Sequence, residues 1–368
     1  MNANIVTLPG DGIGPEVTAQ AVRILTAVAD LFGHRFQFES APIGGAAIDA
    51  TGSALPDSTL HACRSASAVL LGAVGGPQWD GAEATVRPEQ GLLALRKGLG
   101  VYANLRPVRV PDCLADRSTL RPEVVRGVDL VVVRELTGGM YFGDKSRGPG
   151  EGGEEAIDVC RYSTAEIERV ARRAGQLARG RRGRLASVDK ANVLETSRLW
   201  RETVTRVMAE EFADLTVEHV LVDACAMHLI RNPGAFDVIL TENLFGDILT
   251  DEAAMLAGSI GLLPSASLGA PGTPGLFEPI HGSAPTIAGR DLANPYGAIL
   301  SAAMLLRHGL SLGTEADAVE QAVEQAWSAG LLPADLADAS TTPYGTEAIG
   351  AAVAALLTDA AMPATATR

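Results

Sequence analysis

The chain has 368 residues, 47% of them hydrophobic and 20% charged, which supports packed domains and excludes a disordered or fibrous protein. With 30 Lys and Arg against 44 Asp and Glu, the net charge is −14, which counts against general binding to a nucleic-acid backbone. A local arginine cluster can still hold a small anion, and at roughly 150 residues per domain the length fits two or three domains.

The chain opens with the apolar strand Ile5-Val6-Thr7-Leu8, a glycine turn through Gly10, Gly12 and Gly14, and a helix running to about Phe32. The turn lacks the dinucleotide fingerprint GxGxxG, because Pro15 stands where its last glycine belongs. A second buried strand covers 68–74, a helix runs from Pro88 to about Gly98, and extended runs follow at 101–110 and 128–133. Residues 138–153 hold seven glycines and read as a long loop or arm. An amphipathic helix is expected from Ser163 to Gly180, within a stretch of eight arginines that reads as a solvated face. Further strands are expected at 185–188, 217–222 and 238–240, a Pro/Gly loop at 269–275, a last helix at 349–357 and a frayed tail at 363–368. The alternation of strands and helices makes this an α/β protein. With no flexible tether, its domains are interwoven.

Cys63, Cys113, Cys160 and Cys225 form no CxxC pair and no Cys/His cluster, so they are expected as reduced core thiols of a cytoplasmic protein. No basic and apolar leader opens the chain and no apolar run approaches about 18 residues, so neither a signal peptide nor a membrane span is expected.

Several polar residues stand where chemistry is done. Glu89, Leu92, Leu93 and Arg96 share one face of a helix, and period-two alternation puts Tyr102, Asn104 and Arg106 on one face of the next strand. Arg134 ends the strand 128–133, where open α/β sheets place ligands. Three arginines suit recognition of carboxylates. Asp247 and Asp251 are one helical turn apart, a repulsive pair unless a cation or an arginine lies between them, and their oxygens suit Mg²⁺ or Mn²⁺. Asp223 and Lys190 each follow a strand, the first as a third carboxylate and the second as a candidate base.

The segments Arg134-Glu135-Leu136-Thr137-Gly138-Gly139-Met140-Tyr141-Phe142-Gly143, Val188-Asp189-Lys190-Ala191-Asn192-Val193-Leu194, Asn243 to Glu252 and His281-Gly282-Ser283-Ala284-Pro285 resemble the β-decarboxylating dehydrogenases of 2-hydroxy acids. That family comprises isocitrate, homoisocitrate, tartrate/malate and 3-isopropylmalate dehydrogenases, and the likeness runs from Leu8 to about Leu306. The helix Arg87 to Lys97 is similar to the 3-isopropylmalate members, since Leu92 and Leu93 offer an apolar surface that suits an isopropyl group and would leave a third carboxylate unpaired.

The resemblance implies a two-domain isopropylmalate/isocitrate dehydrogenase-like α/β fold with a sheet through each domain, not a Rossmann fold. One domain comprises residues 1–101 with 259–368, and the other residues 102–258. It implies a homodimer with shared active sites that uses NAD and Mg²⁺ or Mn²⁺ on 3-isopropylmalate, in leucine biosynthesis. Another 3-substituted malate in a specialised pathway, or a tartrate/malate-type substrate, is the alternative. Arg96, Arg106 and Arg134, with Glu89, Leu92, Leu93 and Asp223, would take the substrate; Asp247, Asp251 and Asp223 of the other subunit would take the metal; Lys190 and Tyr141 would move protons. Asn192, Glu278, the loop His281, Gly282, Ser283, Ala284, Pro285, Thr286, then Ile287 and Asn294 would line the cofactor. One departure stands out. NAD-using members carry an aspartate where this chain has Thr286, and the NADP-using isocitrate enzymes carry Lys then Tyr where it has Thr286-Ile287. A neutral hydroxyl in place of that carboxylate implies NAD binding weaker by about 1–2 kcal/mol. A metal-dependent hydrolase built on Asp223, Asp247 and Asp251 would explain the aspartates but leave Lys190, Tyr141 and the arginines without a role.

Overall fold

The structure, a computed structural model, describes residues 1–79, 81, 85–338 and 340–361; the tail expected at 363–368 lies outside the described residues. The chain divides into two compact units, Met1–Val101 with Gly258–Arg368, and Tyr102–Ala257.

In the first unit, five strands lie side by side in the order Arg35–Ser40, Asn2–Gly10, Ala68–Ala73, Gly275–Pro279, Pro264–Leu268. Only the last pairing is antiparallel. Ala68–Ala73 is buried at every residue, as a parallel strand covered on both faces must be, which is why it reads as an unbroken apolar run. The helix Gly14–Phe32 starts at Pro15, whose missing amide costs nothing in the first turn, and stops at left-handed Gly33. It buries Val17, Ala21, Ile24, Leu25 and Val28 along one stripe. Helix Tyr296–Met304 is buried along almost its whole circumference and packs against Gly14–Phe32 and the two strands 264–268 and 275–279.

In the second unit, the order is Ala103–Arg109, Asp129–Glu135, Val238–Thr241, Arg184–Asp189, Thr216–Leu221. The first pairing is antiparallel and the others are parallel. Helix Thr164–Arg179 is fixed at its start by a reciprocal capping box between Ser163 and Glu166. The arginines around it are not simply solvated. Arg169 pairs with fully buried Glu135, Arg181 with fully buried Asp237, and Arg172 and Arg179 tie the helix to Glu211 and Asp214.

Two expectations are corrected. The glycine-rich stretch is an antiparallel ribbon, Lys145–Gly150 against Gly153–Asp158, because alternating backbone pairing needs no apolar side chains. The cysteines are all free, but only Cys63 and Cys225 are buried; Cys160 is half-buried and Cys113 exposed. No helix among the described residues is long and apolar enough to cross a membrane.

The first glycine turn is held by close backbone approach. The Ile13 amide donates to the Ser283 carbonyl at 2.8 Å, and a Cβ at Gly12, φ +57°, would fall 1.9 Å from that same oxygen. Gly12→Ala is therefore expected to destabilise the protein by about 2–4 kcal/mol, from strain and overlap together, read from urea unfolding. A change below about 0.5 kcal/mol would contradict the close approach.

Candidate active site

The second unit gathers two buried guanidinium groups and two carboxylates. Register places Asn104 opposite Arg134 on the antiparallel pair, and Thr241 beside Arg134 on the parallel one. Helix Asn243–Ala254 follows at once, with Glu242 as its N-cap accepting the Phe245 amide at 2.6 Å. Arg134, 1% exposed, donates from Nε and Nη2 to Asn243 Oδ1 at 3.0 and 2.7 Å, and Nη1 donates to Asp247. Arg106, 6% exposed, donates from Nε to Asn104 Oδ1 at 2.7 Å and from Nη1 to Thr250 Oγ1 at 2.6 Å. Its guanidinium also lies 3.7 Å from Asp247 and 3.8 Å from Asp251, so an arginine does stand between the two like charges.

Tyr141 closes this cluster. Its hydroxyl donates to Asp247 Oδ2 at 2.6 Å, and the Arg134 guanidinium lies 5.6 Å from its ring centre. Burial, aided by the neighbouring Asp247 charge, pushes the phenol up to about 12, so it stays protonated at neutral pH. Burial also raises the Asp251 carboxyl; Arg106 opposes that shift and Asp247 adds to it.

Asn243, Asn104 and Thr250 carry the arginines, a role that no sequence motif marks. Asn104 was visible on the Arg106 face by alternation. Asn243 and Thr250 are recognisable only once the helix is docked. A deeper layer supports them: Tyr162 donates to Glu242 at 3.0 Å and accepts the Asn243 amide, while Asn243 Nδ2 donates to the Gly138 carbonyl at 3.0 Å.

Lys190 and Asp223 form a separate pair in the same unit. Lys190 Nζ donates to Asp223 Oδ1 at 2.8 Å, which holds the Asp223 carboxyl below its ordinary range. Asp223 lies in the first turn of helix Val222–Arg231. Among the described residues no three His, Cys, Asp or Glu side chains gather as a metal-binding group, so one chain does not bring Asp223 to Asp247 and Asp251. Asn192 is exposed on the turn after Lys190.

The first unit holds the other expected residues. Arg96 Nη2 donates to Glu278 Oε1 at 2.7 Å in a buried ion pair, joining two residues expected to serve different ligands. Leu92 and Leu93 are half-buried one turn earlier on helix Pro88–Leu99, and Glu89 is exposed at its start, beside Gly75. Beyond strand Gly275–Pro279 comes the loop from His281. His281 and Ser283 are buried, Ala284 takes a φ of +38°, Ile287 is half-buried, and Gly282, Pro285 and Thr286 are exposed. The Asn294 side chain is engaged within the unit, with Oδ1 accepting the Tyr296 amide and Nδ2 donating to Asp335.

The residues fit the groups expected of them. Asp251 is 61% exposed, and with Asp247 it offers oxygen donors only, which suits Mg²⁺ or Mn²⁺ held by two carboxylates with substrate and water oxygens. In the loop, His281 Nδ1 lies 2.9 Å from the Gly282 carbonyl, which assigns the proton to Nδ1. Burial lowers the imidazole pKa, so Nε2 is left as a buried acceptor with no partner among the described residues, as a loop that receives a polar ligand would leave it.

Comparison with known proteins shows the family of the chain. The isocitrate/isopropylmalate dehydrogenase family matches residues 4–353. The 3-isopropylmalate dehydrogenase of Rhodopirellula baltica is 57% identical over 97% of this chain and 99% of its own. The 3-isopropylmalate dehydrogenase of Geobacillus kaustophilus is 60% identical over 91% of this chain and 90% of its own. Among solved structures, isocitrate dehydrogenase from Methylococcus capsulatus superposes with a TM-score of 0.84 at 34% identity, covering 96% of this chain and 99% of its own. A β-decarboxylating dehydrogenase from Thermococcus kodakarensis, in its apo form, gives 0.78 at 37% identity, covering 99% of both chains.

Removing Asn243 would take away an oxygen that accepts from two donors of a buried cation. Asn243→Ala is expected to cost about 2–3 kcal/mol in urea unfolding. A loss under about 0.5 kcal/mol would show that Arg134 does not depend on Asn243.

Proposed function

The chain belongs to the isocitrate/isopropylmalate dehydrogenase family, and from that premise we propose that it oxidises and decarboxylates 3-isopropylmalate to 4-methyl-2-oxopentanoate and CO₂ in leucine biosynthesis, in the cytoplasm. The observation that carries the reading is the convergence of Arg106, Arg134, Tyr141, Asp247 and Asp251 in one cluster. A hydrolase would have no use for the tyrosine and the paired arginines there.

When bound, NAD supplies the hydride acceptor, and Mg²⁺ or Mn²⁺, held by Asp247 and Asp251 with Asp223 of the partner subunit, supplies positive charge at the C2 oxygen. Arg96, Arg106 and Arg134 bind the malate carboxylates through their positive charge and guanidinium donors. Glu89, Leu92 and Leu93 line the substituent, and the two leucines favour an alkyl group over a third carboxylate. Lys190, reaching in from the partner, takes the proton from the C2 hydroxyl as hydride leaves C2. Carbon dioxide then leaves from C3, and Tyr141, a phenol kept protonated by burial and Asp247, donates the proton that C3 needs. Asn192, Glu278, Asn294 and the loop His281–Ile287 bind the dinucleotide. Free cysteines suit a reducing cytoplasm.

Three features support the homodimer. Lys190 and Asp223 are paired away from the carboxylates they would complete. Met227 at 65% and Ile248 at 60% exposure lie on two helices packed together, Val222–Arg231 and Asn243–Ala254. The ribbon 145–158 has no core of its own, and an isolated two-stranded hairpin is marginal in water.

The test is reduced-nicotinamide absorbance with Mg²⁺ and 3-isopropylmalate, isocitrate, malate or tartrate, with NAD and NADP in parallel. Turnover of 3-isopropylmalate above the others, abolished by a chelator, is expected; preferential use of tartrate or of a bulkier 3-substituted malate would replace the substrate. Thr286→Asp is expected to tighten NAD by about 5- to 30-fold, the equivalent of roughly 1–2 kcal/mol for a charge-assisted bond to the ribose. An unchanged NAD affinity would remove that hydrogen-bond account.

A further inference from the structure

We infer that an ion pair behind Lys190, between buried Asp189 and partly exposed Arg201, positions this lysine for proton abstraction; the inference rests on the dehydrogenase reading above. Lys190 is the first residue beyond strand Arg184–Asp189. The last residue of that strand, Asp189, is 1% exposed. Arg201, from helix Glu195–Glu211, grips it through both oxygens, Nε to Oδ2 and Nη2 to Oδ1, each at 2.8 Å. The same Oδ1 accepts the Ala191 amide at 3.0 Å.

The backbone of Lys190 is thereby bound on every side. Its own amide donates to Ser197 Oγ at 3.0 Å, from the same helix that carries Arg201. Its carbonyl accepts the amides of Val193 and Leu194, both at 3.0 Å. The next strand, Thr216–Leu221, runs parallel with Asp189 opposite Leu221, and delivers Asp223 two residues later to meet Lys190 Nζ. His219 flanks the ion pair from that strand, its Nδ1 4.0 Å from Asp189 Oδ2 and its Nε2 2.9 Å from Thr205 Oγ1. Burial and the nearby Arg201 charge keep the imidazole neutral, so it does not compete for Asp189.

An ion pair whose arginine is partly exposed adds little to stability, whereas a two-pronged guanidinium fixes the direction of the carboxylate it grips. Direction is what a base requires. It must come within about 3 Å of the proton it takes, and a displacement of about 1 Å can cost 100-fold in rate.

The test replaces the pair by neutral amides, Asp189→Asn with Arg201→Gln, in the full-length protein, so that no buried charge is left alone. Arg201→Lys, which keeps the charge and loses the fork, runs beside it. In the double variant kcat with 3-isopropylmalate is expected to fall about 10- to 100-fold, with the KM values for substrate and NAD within about threefold. Amide hydrogen exchange in the segment 190–194 should rise while circular dichroism stays native, and Arg201→Lys should fall between the double variant and the parent. A kcat within threefold of the parent, unchanged exchange at 190–194, or a loss of activity matched by a loss of folded protein would each overturn the inference. A parent protein that turns over none of the malates would instead overturn the dehydrogenase reading.

Discussion

Arg106 and Arg134 are buried at 6% and 1% exposure, and the residues around them are those that a buried cation requires. An isolated guanidinium in such surroundings is costly, so each donor must find an oxygen. Asn104, Asn243, Thr250 and Asp247 supply those oxygens from one strand and one helix. The helix Asn243–Ala254 is locked in rotation by this requirement, because Asn243, Asp247 and Thr250 can all face the arginines only in one setting. That same setting turns Asp251 towards solvent and Asp247 towards Tyr141. The groups proposed to meet an anionic substrate and a dication are thus ones that the fold must place anyway.

Much of this was legible in the sequence, and the reason differs between residues. The buried strands announce themselves as apolar runs, since parallel strands covered on both faces have no polar side to show. The spacing of Asp247 and Asp251 gives their common helical face, and the need for a cation or arginine between them follows from Coulomb repulsion alone; Arg106 meets it. Family motifs carry the roles proposed for Lys190, Tyr141 and the cofactor loop, which no periodicity reveals. What stayed hidden depends on long-range docking. Nothing local marks Asn243 as the partner of Arg134, 109 residues earlier, or Glu278 as the partner of Arg96, 182 residues earlier. The ribbon at 145–158 was hidden because its glycines and charges carry no apolar alternation, and the arginine-rich helix because its acidic partners lie on other elements.

The first unit is organised by backbone proximity. Asp11, just after the first strand, accepts the amides of Gly45, Ala46 and Gly75, at 2.8, 2.7 and 2.8 Å, and so ties its own turn to the start of helix Gly44–Thr51 and to the loop after Ala73. The turn beside it touches Ser283 through Ile13, which sets the base of the loop that begins at His281. Within that frame Thr286 is exposed, so a substitution there alters what a ligand meets while leaving the packing untouched. A change of cofactor affinity at this position is therefore separable from a change of fold.

A shared site requires Arg106, Arg134, Asp247 and Asp251 of one subunit to work with Lys190 and Asp223 of another. Mixed dimers made from Lys190→Met and Asp247→Asn chains test it directly. With shared sites, each hybrid dimer regains one native site, and random reassortment of two inactive parents should restore about a quarter of parental activity. If each site lay within a single chain, no hybrid would contain a native site and the mixture would stay as inactive as its components.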